Sequence, residues 1–231
     1  MTQSVQDLSG LARGGALSEQ RNRVLRNTYW LLALSMVPTV LGAWIGVQTG
    51  LTRTLSPGIG AIVFLGGAFG FMFAIQKFKD SAAGVPILLG FTFFMGLMLS
   101  QLLGTVLGLK NGSSLIMTAF GGTGAIFFGM ASLTSVIKRD LSAMGKFMFI
   151  GVIMLLVAGI ANIFIQSSAL MITLSVLAIG IFSAFILYDL KRVQDGTETN
   201  YITATLGVYL SLYNVFANLL MLLGIFGGER D

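Results

Sequence analysis

The sequence predicts an all-α membrane protein, a bundle of seven transmembrane helices with the N-terminus cytoplasmic and the C-terminus external. Three observations lead there. The 231-residue chain is 55% hydrophobic and only 10% charged, where a soluble domain carries about a quarter charged residues. Its apolar residues gather into seven runs, each close to the ~20 residues that a bilayer core requires. The 14 Lys and Arg lie almost wholly between those runs, so the net charge of +5 is a topology signal and not a nucleic-acid footprint. No nucleic-acid partner is expected; the bilayer itself is the first partner.

The chain opens on MTQSVQDLSGLARGGALSEQRNRVLRN, residues 1–27, which is polar and ends in Arg21, Arg23 and Arg26. A secretory signal would reach its apolar core sooner. This segment reads as a mobile cytoplasmic tail with a short interfacial helix from Leu17 to Leu25. The transmembrane domain is expected over 28–227, followed by an external tail at 228–231.

The seven spans fall at about 28–49, 58–77, 84–107, 114–136, 147–166, 169–189 and 201–226. Pro38 is placed to kink the first. Ser56-Pro57-Gly58 opens the second, and Pro86 sits in the first turn of the third, where proline is tolerated. Connections are short, no internal repeat is visible, and an odd number of helices argues against a simple inverted-repeat transporter.

Small residues form stripes on several spans. In the fourth, Thr118, Gly122, Ala125, Gly129 and Ser132 follow helical spacing, with Leu115 and Ile116 expected to face lipid. The second has Gly60, Gly67, Gly70 and Ala74 with the Gly66/Gly70 pair; the third has Gly90, Gln101, Gly104 and Gly108. Such stripes let helix backbones approach in lipid, where van der Waals packing replaces the hydrophobic effect. Gly122 and Gly129 are therefore expected packing positions. Gly121-Gly122-Thr123-Gly124 is no phosphate loop, since no strand precedes it and no Lys follows.

The seventh span is the most informative. Asn200, Thr203, Gly207, Ser211, Asn214 and Asn218 lie along one seam, opposite Leu206, Tyr209, Tyr213, Phe216 and Leu220. A polar seam in an apolar span turns towards protein or a water-filled cavity, so this helix is expected in the core. Asn162 and Gln166 in the fifth span and Gln101 in the third are expected to hydrogen-bond between helices.

Charge sets the expected orientation. Eleven Lys and Arg collect at the N-terminal tail and at Lys77, Lys79, Lys138, Arg139, Lys146, Lys191 and Arg192, against Arg53, Lys110 and Arg230 on the opposite side. The positive-inside rule places the first group in the cytoplasm.

Candidate chemistry is sparse. With no His and no Cys there is no imidazole base, thiolate nucleophile, disulfide or zinc site of the usual kind. No cofactor and no resident metal are expected, and no nucleophile–base pair or paired carboxylates can be assembled within the bilayer, so the chain does not read as an enzyme. No span carries a charge near its middle. Asp189, at the cytoplasmic end of the sixth span, is the one acid close to membrane depth. It is either an interfacial carboxylate beside Lys191 and Arg192 or a titratable gate or cation contact.

The seven-span plan, with ILYDLKRV closing the sixth helix and YLSLYNVFANLL in the seventh, resembles the Bax inhibitor (transmembrane Bax-inhibitor-motif) family. VLRNTY (Val24–Tyr29), ANIFIQ (Ala161–Gln166) and TETNYITATLGVYLSLYNVF (Thr197–Phe216) are closer to its bacterial YccA-like branch of FtsH-protease modulators in the inner membrane. The resemblance runs from about residue 22 to the C-terminus and implies one core helix surrounded by the other six. It implies two function classes. One is a partner, and itself a substrate, of an FtsH-type membrane AAA protease, with Met1, Arg13 and Glu19 in the tail that the protease would recognise. The other is a pH-sensitive calcium or cation leak, in which an Asp ending the sixth helix pairs with an Asp in the seventh. Asp189 matches the first position, but the second falls on Ser211, with Asn214 one turn on. Ser211 does not ionise, so the two-carboxylate sensor is broken here. A small-solute transporter is a third, weaker class.

Overall fold

The computed structural model describes the backbone of residues 2–52 and 54–228, and side chains over 18–52, 54–56 and 58–228. Met1, the side chain of Arg13 and the tail beyond Gly228 lie outside the described residues. Seven helices follow in order: α1 Thr2–Thr49, α2 Pro57–Phe78, α3 Gly84–Leu107, α4 Gly112–Val136, α5 Ser142–Ile165, α6 Ser168–Gln194 and α7 Tyr201–Gly227. All seven are long and apolar enough to cross a membrane, the first of them over Ser18–Thr49.

Local chemistry sets most ends. Gly50, at φ +64°, takes the left-handed conformation that closes α1, its amide bonded to the Gly46 carbonyl at 3.0 Å. The Ser56 hydroxyl accepts from the Ile59 amide and Pro57 occupies the first turn of α2. Ser167 caps α6 through the Leu170 amide at 3.2 Å. Asn200 caps α7, accepting from the amides of Ile202 at 2.9 Å and Thr203 at 3.1 Å.

Three boundaries depart from expectation, one of them the start of α5, at Ser142 where 147 was expected. α1 is one continuous helix from Thr2, where a mobile tail with a separate short helix was expected. The segment holds Leu, Ala, Gln, Glu and Arg, which favour helix, and no proline before Pro38. α6 runs to Gln194, so Asp189 lies inside it and not at its end. Lys191 and Arg192 suit the last turn, where cations offset the carbonyl end of the dipole.

α7 forms the axis of the bundle. No residue from Tyr201 to Gly224 is exposed. It packs against α1, α2, α3, α4 and α6, while α5 leans on α6 and α2 without reaching it. The core helix thus has five neighbours and not the six implied by the family resemblance. α5 fully buries only Gly145 and Met148, which makes it the most peripheral helix, packed along one face against α6.

The main core joins Ile75, Leu88, Phe91, Met95, Ile186, Leu190, Ile202, Val208, Tyr209 and Val215. Tyr209 is its largest fully buried side chain. Its hydroxyl meets Thr39 Oγ1 at 2.8 Å and donates to the Thr92 carbonyl at 3.3 Å, and its ring packs edge-on against Phe91 at 6.0 Å. One residue therefore joins α7, α1 and α3, and its polar tip is satisfied inside an apolar core.

The tightest helix contact is α1 against α3. A Cβ on Gly42 would collide with the Phe93 carbonyl, one on Gly46 with the Ser100 side chain, and one on Gly96 with the Thr39 carbonyl. These three glycines, not a stripe on the fourth span, let two backbones approach.

Candidate functional site

The end of the bundle that gathers most of the cations is built from the end of α6, the 195–200 loop and the start of α7. Arg192 organises it. Its guanidinium lies 3.4 Å from Glu198 and 3.9 Å from Asp189, and it stacks over the Tyr188 ring at 5.6 Å. Its carbonyl accepts from the Thr197 and Glu198 amides at 2.9 and 3.1 Å. Lys191 is buried, and its ammonium donates to Asp195 at 2.6 Å. The loop is thus folded back onto the helix by charge-assisted bonds.

Asp189 points inwards. Its side chain is only 13% exposed, and a Cβ on Gly207 would stand 2.6 Å from its Oδ2. Gly207 therefore leaves the space in α7 that the carboxylate fills. Ser211, one turn further along that face, is buried. Asp189, Gly207 and Ser211 thus mark the α6–α7 contact, with one carboxylate and one Arg192 partner. Among the described residues, no three His, Cys, Asp or Glu come together as a metal site.

The remaining expected site residues fall elsewhere. Asn214 Nδ2 donates to the Leu210 carbonyl and Asn218 Nδ2 to the Asn214 carbonyl, both at 2.8 Å. They bond back within α7 and link no second helix, because a short amide reaches the carbonyl four residues back. Asn162 is likewise no interhelical link. Its Oδ1 accepts from the Ser167 amide at 3.0 Å, steadying the turn in which Gln166 takes a left-handed φ of +54°. A Cβ on Gly122 would stand 3.4 Å from Leu219 Cδ1, an ordinary contact, whereas Gly129 faces open space. Leu115, expected to face lipid, is buried along with Ala119 and Thr123. The buried face of α4 thus runs through Leu115, Ala119 and Thr123, one position away from the small-residue stripe, of which Gly122 still lies towards Leu219 of α7. Gly66 and Gly70 also face open space.

Two ties escaped the sequence reading. Asn200 Nδ2 donates to the Lys79 carbonyl at 3.1 Å and to Asp80 at 2.8 Å, joining the α2–α3 turn to α7. Arg21 donates to the Gln194 carbonyl at 3.3 Å, fastening α1 to the end of α6. An Asn directly before an apolar helix signals a cap, but nothing in the sequence names its second partner. Glu19, whose side chain is described, pairs with Arg23 at 3.5 Å on the exposed surface.

The family described as inhibitor of apoptosis-promoting Bax1 matches residues 21–228. A protein of Escherichia coli K12 named modulator of FtsH protease YccA is 36% identical over 210 residues, covering 91% of this chain and 92% of its own. An uncharacterized protein of Pseudomonas aeruginosa is 38% identical over 216 residues, 93% of this chain and 95% of its own. An uncharacterized membrane protein of Vibrio cholerae is 36% identical over 207 residues, 89% and 91% respectively. A second Escherichia coli relative is named an inner membrane protein. With seven helices able to cross a membrane and a match over nearly the whole chain, the protein belongs to the Bax inhibitor family and is a multi-pass protein of the bacterial inner membrane.

Proposed function

We propose that this protein binds an FtsH-type membrane AAA protease, modulates its action on other membrane proteins and can itself be drawn into it as a substrate. The observation that carries the reading is the similarity, over 91% of the chain, to the Escherichia coli protein named as a modulator of that protease. The fold supports it. Apart from the N-terminal segment, the connections at the cation-rich end are short, and the 195–200 loop is pinned at Arg192 and Asn200. A threading protease needs a free end. The segment from Met1 through Arg13 to Glu19 precedes the Arg21–Gln194 bond that ties α1 to the bundle, and it is the proposed handle.

Affinity purification from mild detergent should recover a membrane AAA protease with the full chain. Deleting residues 2–18 should leave insertion intact, lengthen the protein's lifetime in cells that contain the protease, and slow turnover of the protease's other membrane substrates. Unchanged turnover after the deletion, together with a purified protein free of any protease, would refute the reading.

The largely enclosed Asp189 carboxylate seated on Gly207 favours one second reading, a cation leak gated by that group. With the non-ionising Ser211 one turn beyond Gly207, the protein in liposomes should pass calcium poorly and with weak pH dependence. Ser211→Asp should introduce pH dependence, because two like charges at close range cannot both ionise freely. Robust pH-gated calcium flux in the unaltered protein, abolished by Asp189→Asn, would put the leak first.

A further inference from the structure

A groove of about 580 Å³ opens on the outer face of α1 beside the start of α7, lined by Asn27, Trp30, Leu31, Ala33, Leu34 and Tyr201. That volume falls within the roughly 300–1,000 Å³ of small-molecule clefts. Its walls are mostly apolar, and its polar side chains are Asn27 and Tyr201. Helical spacing continues the groove upward. Arg23, Asn27, Trp30 and Leu34 share one face of α1, and Arg26 stands one turn from Trp30 beside them. Arg23 and Arg26 are exposed, and Trp30 is 73% exposed. Along this face the surface passes from two guanidiniums, through an amide and an indole, to an aliphatic wall. That is the order of a phospholipid from headgroup to acyl chain, with the aromatic ring at the interfacial level where such rings gather.

The other charges here are accounted for. Glu19 pairs with Arg23 at 3.5 Å, and Arg21 turns away to the end of α6. Asp195 and Glu198, on the loop before Tyr201, are paired with Lys191 and Arg192. Among the described residues of this face of α1, two cations and one anion thus remain over the mouth of the groove, an excess of positive charge. Basic pockets between helices at the leaflet surface favour anionic headgroups.

We propose that this groove is a binding site for one anionic phospholipid of the surrounding leaflet, its phosphate held by Arg23, Arg26 and Asn27 and an acyl chain lying over Trp30 and Leu34. The charge at the mouth decides the occupant: a zwitterionic phospholipid brings its own ammonium group to offset its phosphate and gains less from two guanidiniums, and an apolar protein helix gains nothing.

The chain holds only two tryptophans, Trp30 and Trp44, which makes the site directly readable. Trp44 is also exposed, at 60%, and lies about 21 Å further along the helix. Trp44→Phe protein is placed in phosphatidylcholine vesicles containing either acyl-brominated phosphatidylglycerol or acyl-brominated phosphatidylcholine at equal mole fraction. Brominated phosphatidylglycerol should quench Trp30 more strongly, reflecting a preference on the order of fivefold per arginine. Arg23→Gln with Arg26→Gln should bring the two lipids to parity, Arg26→Lys should keep the preference, and Glu19→Gln should raise it. In Trp30→Phe protein, Trp44 should respond equally to both lipids. Equal quenching of Trp30 by both lipids overturns the proposal. So does a phosphatidylglycerol preference that survives in the double Gln variant, whose melting temperature confirms that it is folded.

Discussion

Glycine works in opposite ways at different positions of this protein. A Cβ on Gly96 would collide with the Thr39 carbonyl and stand 3.0 Å from the Ala43 amide nitrogen, while one on Gly129 would meet nothing within 4 Å. Backbone cannot move aside as a side-chain tip can. Gly96→Leu should therefore destabilise by about 3 kcal/mol or more, the upper end of overpacking costs, and Gly129→Leu by less than about 0.5 kcal/mol, as for a surface change. Melting temperatures in detergent separate the two, and equal losses would mean that the α1–α3 seam is misplaced. Asp140, in the loop before α5, is a smaller case. The Ser142 hydroxyl and then its amide, at 2.8 Å, donate to the carboxylate and hold its pKa below the ordinary 3.8. A carboxyl with a depressed folded pKa stabilises above its ordinary value and loses that contribution as pH falls through the folded one. Asp140→Ala should therefore speed hydrogen exchange at the Ser142 amide near neutral pH, and the difference should fade once the pH drops below 3.8.

At the scale of elements, capping and cross-linking meet in Asn200. It accepts two amides of α7 and donates to the α2–α3 turn through Lys79 and Asp80. Loss of the cap alone costs about 1 kcal/mol, and the two further bonds add about 0.5–1.5 kcal/mol each where they are shielded from water. Asn200→Ala should thus cost about 2 kcal/mol in a detergent unfolding measurement. Asn200→Ser should recover about half, because a hydroxyl caps the helix but does not reach the turn. A Ser variant no more stable than Ala would show that the tie to Asp80, not the cap, dominates.

For the whole molecule, seven spans and an eleven-to-three distribution of Lys and Arg predict that the two termini lie on opposite sides of the membrane. Because the chain has no cysteine, single Cys substitutions read topology without background. Cys at Arg53 or Lys110 should react with membrane-impermeant reagents applied from outside, and Cys at Lys79 or Arg139 should not. A reporter active only outside the cytoplasm should work when fused after Asp231 and fail at Met1. A cytoplasmic C-terminus would remove one helix from the membrane.

Span number and the central place of the seventh helix were legible in the sequence, whereas the starts of α1 and α5 and the end of α6 were not. Crossing a bilayer demands about 20 apolar residues in one run, and such runs are local. A polar seam inside one of them also forces that helix inward. Which glycines meet a neighbour was not legible, because a stripe such as Gly122–Gly129 has the same spacing whether it faces a helix or lipid. Gly42, Gly46 and Gly96 became the close seam only because α1 and α3 cross where their backbones coincide. The seat of Asp189 on Gly207 and the bonds from Asn200 and Arg21 to distant carbonyls were likewise decided by tertiary structure alone. Each joins residues far apart in the chain, and in lipid the choice among many equally apolar faces rests on shape rather than on hydrophobicity.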